Sequence, residues 1–395
     1  MRRTIAAVLV AWAPSAAAAD LDYPILHPGV LDAARVKVAE GDASVTAPFT
    51  ALRAQADQAL VLTPRSVMDK ALRASSGDPH DYFSFGPYWW PDPAKADGLP
   101  YIRRDGETNP AARQGTDRPT AQVMGEAFEA LALAYHITGH EPYAAQAVRL
   151  LRTWFLDPAT CMNPHMQHAQ AIPGVSDGRG IGIIEGRYLL AFHEAQPLVF
   201  RSPSWTKEDE RDYRRWREAF LRWLLTSENG RDEADEENNH GTWYDVQVAE
   251  LQLSLGHVDE ARAFLESALR HRLDTQLDAD GSQPHELART RSFNYSVLNL
   301  NGLLRLAVLA EHVGLDAWSV RTPRGRTLEK AVSFLAPFAN PQREWVAPNI
   351  DEQDRTRILP LLAEAARHEG GRGYAEILAR HEGAAPADAR WRLFR

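Results

Sequence analysis

Asn239 and His240 lie in a short polar stretch that precedes a helical pattern, and their side chains can bind an anion and move a proton. Asparagine is a favoured N-cap residue, and Asn238 stands where such a cap is needed. Backbone N–H groups at a helix start attract anions, so we expect these residues beside bound negative charge. The ordinary pKa of histidine, near ~6.5, suits a base at neutral pH. A structural role, with the asparagines as caps and His240 buried, fits the same pattern.

A second polar stretch, residues 281–295, precedes another helical pattern and ends at a tyrosine. Its candidates for contact with an acidic substrate are Gln283, Glu286, Arg289, Arg291 and Tyr295. Arginine can bind a carboxylate through two parallel hydrogen bonds. The ordinary pKa of tyrosine, near ~10, can be lowered by neighbouring cations, so that Tyr295 could act as base or acid. Alternatively, the stretch is a polar loop in which Tyr295 anchors the end of the helix.

Aromatic residues and arginines are concentrated between residues 80 and 106. The candidates for substrate contact in this stretch are Tyr88, Trp89, Trp90, Arg103 and Arg104. Aromatic faces among Pro and Gly can form a flat wall for sugar rings, and the arginines could bind carboxylates. The same aromatic side chains could instead fix the loop to the rest of the fold.

Residues 162–185 supply further polar candidates, namely His165, Gln167, His168 and Arg179. The spacing of the two histidines could indicate a metal, but no clear third ligand accompanies them. We therefore predict polar cleft residues and no bound metal. Tyr244, one helical turn after His240, is a further predicted substrate contact.

The formal charge of −9 argues against a nucleic-acid partner, although a local basic cleft could still bind an anionic substrate. Residues 1–19 combine a basic start, a short apolar run and a small-residue end, which predicts a secretory signal peptide. A membrane anchor is the alternative, but the run is shorter than the ~20 residues that span a bilayer. We therefore predict a periplasmic or secreted protein that is not inserted in the membrane after the signal is cleaved.

Apolar residues recur at three- and four-residue spacing over most of the chain after residue 118, which predicts amphipathic helices. The predicted helices are Thr120–His136, Glu141–Phe155, Ile183–Ala195, Lys207–Ser227, Tyr244–Leu255, Val258–His271, Val297–Val313, Leu328–Phe338 and Thr356–His368. Successive helical hairpins predict an all-α fold, either a solenoid or a closed toroid, with an irregular bundle as the alternative. Residues 76–117 and 157–181 are predicted to be ordered loops over one end of the helical barrel, where substrates bind.

Together these motifs resemble the alginate-lyase superfamily of bacterial polysaccharide lyases. The pattern Asn-Asn-His-x-x-Trp is present at residues 238–243, and the Arg–Tyr element at residues 283–295. The runs at residues 80–93 and 162–184 look like a branch that includes glucuronan-cleaving members. The resemblance implies an (α/α) toroid as a single catalytic domain over residues 20–395, with a cleft across its mouth and with neither a cofactor nor an obligatory metal.

The resemblance also implies a reaction, the β-elimination of a uronic-acid polymer of glucuronan or alginate type, which leaves a 4,5-unsaturated uronate end. It implies that Asn239 and His240 lie by the uronate carboxyl group. An arginine, for which we favour Arg289 over Arg291, and Tyr295 would lie opposite. Either His240 or Tyr295 could be the base that removes the C5 proton.

Two other functions fit the residues at this point. A glycoside hydrolase on a similar toroid would need two carboxylates that flank the scissile bond, and Glu185, Asp245 and Glu286 are available. A noncatalytic periplasmic protein that binds uronate oligomers would use similar aromatic and basic side chains.

Overall fold

Helices make up most of the chain in the computed structural model, which describes residues 28–368 and 370–395. The predicted signal peptide, residues 1–19, lies outside the described residues. The α-helices are α1 Pro28–Glu40, α2 Ala43–Leu60, α3 Arg118–Thr138, α4 Glu141–Leu151, α5 Arg187–Val199, α6 Lys207–Thr226, α7 Glu228–Ala234, α8 Asn239–Ser254, α9 Val258–Gln276, α10 Pro284–Leu287, α11 Ser292–His312, α12 Leu328–Leu335, α13 Leu359–Ala365 and α14 Arg372–His381. The predicted all-α class is confirmed.

Helices α3, α5, α8 and α11 form an inner wall in which each helix packs against the next. Almost every residue of α8 from Asn239 to Gln252 is buried, and α11 is buried to the same degree. Burial on all sides of a helix is expected only where other helices surround it.

The outer helices bury one stripe each. In α6 this stripe includes Tyr213, Trp216 and Phe220, which recur at the three- and four-residue spacing of one helix face. Helix α4 packs on α3, α6 packs on α8, and α9 packs on both α8 and α11. Inner and outer helices thus alternate along the chain as hairpins, and the predicted (α/α) toroid is confirmed.

The two ends of the described chain meet. A 3-10 turn at Arg390–Phe394 packs against α1 and α2, and its Leu393 and Phe394 share an apolar cluster with Leu31 and Leu52. Among the described helices, none has the length and apolar character required to cross a bilayer.

The two predicted loops each contain short strands, and one pair of strands joins them. Strand β1 (Phe83–Phe85) pairs in parallel with β4 (His168–Ala171), while β2 (Trp89–Trp90) pairs antiparallel with β3 (Ile102–Arg103). Strands of two to four residues are too short for an alternating pattern to appear in the sequence. The ladder between β1 and β4 fixes the first loop against the second.

Candidate active site

The segments that carry the candidate residues all lead into inner helices. The first loop precedes α3, the second loop precedes α5, α7 precedes α8, and residues 277–291 precede α11. The alternation of inner and outer helices in the toroid places these four approaches at one end of the ring. The predicted helix Tyr244–Leu255 in fact begins at Asn239, because Asn238 caps it with an oxygen that accepts the backbone N–H of His240 at 2.8 Å. Asn239 and His240 are therefore the first two helical residues.

A buried carboxylate holds the His240 imidazole. Glu233, on α7, lies 3.0 Å from Nδ1 of His240 through its Oε1, and its side chain is fully buried. Burial raises the pKa of Glu233, and the charge and hydrogen bond of His240 oppose that rise. When Nδ1 carries the proton that Glu233 accepts, Nε2 is the nitrogen that can accept another. Sequence reasoning missed Glu233, although its position one short helix before the Asn-Asn-His motif was a usable signal.

The carboxyl group of Glu286 fixes Asn239 through hydrogen bonds to its backbone and its side chain. The backbone N–H of Asn239 donates to Oε1 of Glu286 at 2.6 Å, and Nδ2 lies 3.1 and 2.9 Å from its two carboxyl oxygens. Burial raises the pKa of Glu286 to about 7, against the hydrogen bonds from Asn239 and the charges of Arg289 and His240. The guanidinium of Arg289 and the imidazole of His240 come from separate parts of the chain, and both lie close enough to influence the same carboxyl group.

The buried carboxyl of Glu286 makes stability depend on pH. Folding raises its pKa from an ordinary 4.5 to about 7, so its contribution to stability is fully present below pH 4.5 and is lost as the pH rises through 7. We expect Glu286→Gln to be more destabilising at pH 5 than at pH 8. Urea unfolding of both proteins at each pH measures the difference. Glu208→Gln, which alters an exposed carboxylate on α6, should show no such trend. If Glu286→Gln lowers the free energy of unfolding equally at pH 5 and pH 8, the raised pKa of Glu286 is contradicted.

Tyr295 and Arg289 lie together at the start of α11. Nη2 of Arg289 donates to the phenol oxygen of Tyr295 at 2.9 Å, and the guanidinium carbon lies 4.0 Å from the centroid of the tyrosine ring. The hydroxyl groups of Tyr295 and Tyr88 are 2.6 Å apart. The first loop therefore reaches the second polar stretch through Tyr88, and the phenol oxygen of Tyr295 has two hydrogen-bonding neighbours.

Asp105 fixes Arg289. Its carboxylate accepts hydrogen bonds from Nη2 of Arg289 at 2.8 Å and from Nε at 3.2 Å. Burial of Asp105 opposes its ionisation, but the hydrogen bonds and charge of Arg289 and the donors of Thr290 hold its pKa well below the usual range. Asp105 was not predicted from the sequence, where it follows two arginines in an ordinary polar turn.

The pKa of Tyr295 differs from the expectation that neighbouring cations lower it. Burial and the adjacent Tyr88 raise the pKa of Tyr295 well above 10, and the positive charge of Arg289 opposes this shift without reversing it. The cation acts in the expected direction, but the net shift is upward because the burial of the phenol outweighs the charge of Arg289. Tyr295 consequently holds its proton at neutral pH, as a proton donor must.

Arg291 points elsewhere. Its Nε lies 3.0 Å from Oδ2 of Asp351, and its guanidinium carbon lies 5.9 Å from the centroid of the Tyr88 ring. Of the two candidate arginines, the structure brings Arg289 to the phenol oxygen of Tyr295.

The aromatic candidates form a wall with arginines against it. The guanidinium of Arg179 lies 5.8 Å from the ring centroid of Trp89, and that of Arg104 lies 5.1 Å from Trp90. Both indoles are half-buried, and Nε1 of Trp90 donates to the backbone of Glu107 at 2.9 Å. The strand pair β2–β3 thus gives the wall a fixed backbone.

His165 and His168 join the two loops. Their Nε2 atoms lie 3.1 and 3.4 Å from the two oxygens of Asp81, which is buried in the first loop. Asp81 also accepts hydrogen bonds from Ser76 at 2.6 Å and from Asn163 at 2.7 Å. The two histidines therefore position the loops, while the neighbouring Gln167 is exposed.

Replacing Asp81 should loosen this connection between the loops. Asp81→Asn keeps the size of the side chain but replaces one of its two acceptor oxygens with a donor, so we expect a loss of about 2 kcal/mol in the free energy of unfolding. Thermal and urea unfolding measure it. Asp78→Asn is the matched control, because Asp78 also accepts from Asn163 but is exposed. Equal stability of the two variants would show that Asp81 does not join the loops.

Two predicted substrate contacts belong to the interior instead. Tyr244 is buried in the core, where its hydroxyl donates to the backbone oxygen of Leu224 at 3.0 Å. Gln283 is also buried, and its amide bonds the backbone of Ser296 at 3.1 Å and the side chain of Asn299 at 2.9 Å. Both predictions were wrong because these side chains are used in packing α8 and α11. Asn238 serves as the cap of α8, and Glu286 contacts Asn239.

The carboxylates considered for hydrolysis are each occupied within the fold. Glu185 is buried and accepts from Tyr82 at 2.9 Å, while Asp245 is buried and bonds Nε of Arg272 at 2.6 Å. Glu286 is the third, and it holds Asn239. Hydrolysis needs two carboxyl groups that face the scissile bond, so this arrangement does not favour a glycoside hydrolase.

The toroid, with a tyrosine, an arginine, a histidine and an asparagine gathered at the approaches to its inner helices, is that of a polysaccharide lyase. The family model described as alginate lyase matches residues 66–345. The chain therefore belongs to the alginate lyase family.

Solved structures agree with this assignment. An alginate lyase from Bacteroides ovatus is 37% identical with a TM-score of 0.89, over 94% of this chain and 98% of that one. Alginate lyase A1-III from Sphingomonas species A1 is 17% identical with a TM-score of 0.51, over 84% of this chain and 90% of that one, which is a likeness of fold. A variant of alginate lyase A1-III in complex with a tetrasaccharide, 18% identical with a TM-score of 0.52, covers 82% of this chain and 89% of its own. No curated protein sequence matches significantly.

Proposed function

We propose that the protein cleaves a polyuronate of the alginate or glucuronan type by β-elimination, with Asn239, His240, Arg289 and Tyr295 at the reaction centre. The observation that carries this proposal is the phenol oxygen of Tyr295, held between Arg289 and Tyr88. The charge of Arg289 also acts on the buried carboxyl group of Glu286, to which Asn239 of the Asn-Asn-His motif donates.

The chemistry requires the substrate's charge to be neutralised. The C5 proton of a uronate is barely acidic while its carboxylate is negative, so the site must stabilise the enolate-like intermediate that forms when the proton leaves. A single well-placed donor to such an oxyanion is worth about 3–4 kcal/mol. The guanidinium of Arg289 would supply donors and positive charge, and a protonated His240 would add both where it is not the base. Asn239 would donate to the uronate once its amide leaves the carboxyl group of Glu286, to which it donates in the unliganded site.

Two proton transfers complete the reaction. A base takes the C5 proton, the C4–O4 bond breaks as the C4=C5 double bond forms, and an acid protonates O4. Tyr295 suits the acid because it retains its proton. Where the C5 hydrogen and O4 lie on opposite faces, as in guluronate, Nε2 of His240 would be the base. Where they lie on one face, as in mannuronate and glucuronate, Tyr295 could do both jobs only after substrate binding has released its proton to solvent; the phenolate would then take the C5 proton and return it to O4.

A panel of polymannuronate, polyguluronate and polyglucuronate tests the function. We expect ultraviolet absorbance to rise with at least one of them, because the new double bond is conjugated to the carboxyl group. Reducing ends released without that absorbance would indicate hydrolysis. Binding without either signal would indicate a noncatalytic uronate-binding protein.

We also propose that residues 1–19 are a signal peptide, removed on export, and that residues 20–395 form one catalytic domain in the periplasm or outside the cell. The basic start, the apolar run and the small-residue end support this. Mass spectrometry of the exported protein should give a chain that begins at Asp20, and a chain that keeps residue 1 would contradict it.

A further inference from the structure

We propose that Arg179 and Arg103, together with the indole face of Trp89, form a second carboxylate-binding subsite for the uronate residue next to the one that is cleaved. This inference rests on the proposed function and names the residues that would recognise the neighbouring sugar: a neutral sugar at that position would bind more weakly than an acidic one.

Arg179 is a mostly buried cation whose partners in the described chain are neutral. Its Nε donates to the backbone oxygen of Gln170 at 3.2 Å, and its Nη2 donates to the side-chain oxygen of the same residue at 2.9 Å. Among the described residues, no carboxylate lies within ion-pair distance of it. A mostly buried charge with no carboxylate in direct contact is costly, and a carboxylate on a ligand can supply that contact.

The local backbone is built around this guanidinium. Gln170 has a φ of 51°, in the left-handed region that favours glycine, and it holds two of the donors of Arg179. Gly86 leaves room on the other side, since a Cβ there would lie 2.7 Å from the Trp89 ring and 3.2 Å from Nη2 of Arg179. Strained backbone of this kind persists where the surrounding structure holds it, and it concentrates at functional sites.

Arg103 brings a second positive charge to the same place. It is the cross-strand partner of Trp89 in the β2–β3 pair, so its side chain lies beside the indole that Arg179 covers. Burial lowers the pKa of Arg179, and the charge of Arg103 lowers it further. The more distant carboxylates of Glu185, Glu233 and Glu236 act in the opposite direction without reversing the shift. Two cations that repel one another are both stabilised when an anion binds between them.

Asp105 places this pair next to the reaction centre. The same oxygen, Oδ1, accepts from Nη2 of Arg103 at 2.8 Å and from Nη2 of Arg289 at 2.8 Å. The chain of contacts therefore runs from Tyr295 through Arg289 and Asp105 to Arg103. A ligand with both a flat ring and a carboxylate matches an indole face flanked by guanidinium groups, and a neighbouring uronate has both.

Arg179→Gln tests the subsite, because it removes the charge and keeps a side chain that can hydrogen-bond. On a homopolymeric uronate we expect KM to rise about 10-fold or more, with kcat within about threefold of wild type. The same polymer is then tested after most of its carboxyl groups have been reduced to alcohols. On this reduced polymer the wild-type KM should rise, and the KM of Arg179→Gln divided by that of the wild type should approach one. Arg215→Gln, which removes an exposed charge on α6, is the matched control. Arg103→Gln, at a side chain that is 55% exposed, should fold normally and raise KM in the same direction.

An unchanged KM in both variants would overturn the subsite, as would an equal rise on intact and reduced polymer. A binding measurement separates this failure from that of the proposed function. Calorimetry measures the affinity of a uronate tetramer for two proteins: the Tyr295→Phe single variant and the double variant that also carries Arg179→Gln. A weaker double variant supports the subsite even if no polymer is cleaved, and equal affinities contradict it even if cleavage is observed.

Discussion

Tyr295→Phe is expected to lower kcat about 1,000-fold while polymer binding stays close to that of the wild type. The substitution removes one hydroxyl group and keeps the ring beneath the guanidinium of Arg289. Positioned acid and base groups contribute about 100- to 10,000-fold to rate, and in this site the phenol would protonate O4. The measurement is the initial rate of absorbance increase at saturating polymer, together with calorimetric affinity for a uronate tetramer.

Tyr88→Phe is the control for this prediction. It removes the hydroxyl that lies 2.6 Å from that of Tyr295 but leaves the catalytic phenol in place. We expect a loss of about tenfold or less from this change. A Tyr295→Phe enzyme that keeps most of its rate, or one that loses no more rate than Tyr88→Phe, would show that the acid is another group.

Arg289→Lys is expected to lower kcat/KM about 100-fold or more. One guanidinium now bonds both oxygens of Asp105 and the phenol oxygen of Tyr295, and its plane packs on the tyrosine ring. An ammonium group keeps the charge but lacks the planar fork, so it cannot make this set of contacts at once. The loss of one such donor to a developing oxyanion costs about 100- to 1,000-fold.

Arg291→Lys is the matched comparison, because it makes the same chemical change two residues away. Arg291 pairs with Asp351 and does not contact the phenol oxygen of Tyr295, so we expect less than about a tenfold effect. Circular dichroism should show that both variants remain folded. If Arg291→Lys is the more damaging change, the roles of the two arginines are reversed.

The sequence carried enough information to predict the helices and the position of the Asn-Asn-His motif, because periodic burial and capping are local properties. Helix α8 began five residues before its predicted start, since the apolar pattern emerges only after the polar residues of its first turn. Those first residues face Glu233 and Glu286, which come from other segments.

The roles of single polar residues were harder to predict than their presence in the site region. Gln283 and Glu286 stand three residues apart in one polar stretch, yet Gln283 bonds α11 and Glu286 bonds Asn239. The role of Asp105 depends on its contact with Arg289, and that of Asp81 on its contact with His165, and both partners are far away in the sequence. Nothing local distinguishes an aspartate in a turn from one that holds a distant arginine.

The ladder between β1 and β4 has a consequence for the order in which helical structure and catalytic activity return during refolding. Within it the backbone N–H of Gln170 donates to the hydroxyl of Ser84, 86 residues earlier in the chain. Helices α3 and α4 lie between these two residues in the sequence. Closing so long a stretch of chain costs entropy that short-range helical contacts do not, so this pairing should form after the α3–α4 hairpin that it spans. During refolding, the helical circular dichroism signal should therefore return before turnover does, and an ensemble arrested between the two stages would have the ring of helices without a working catalyst.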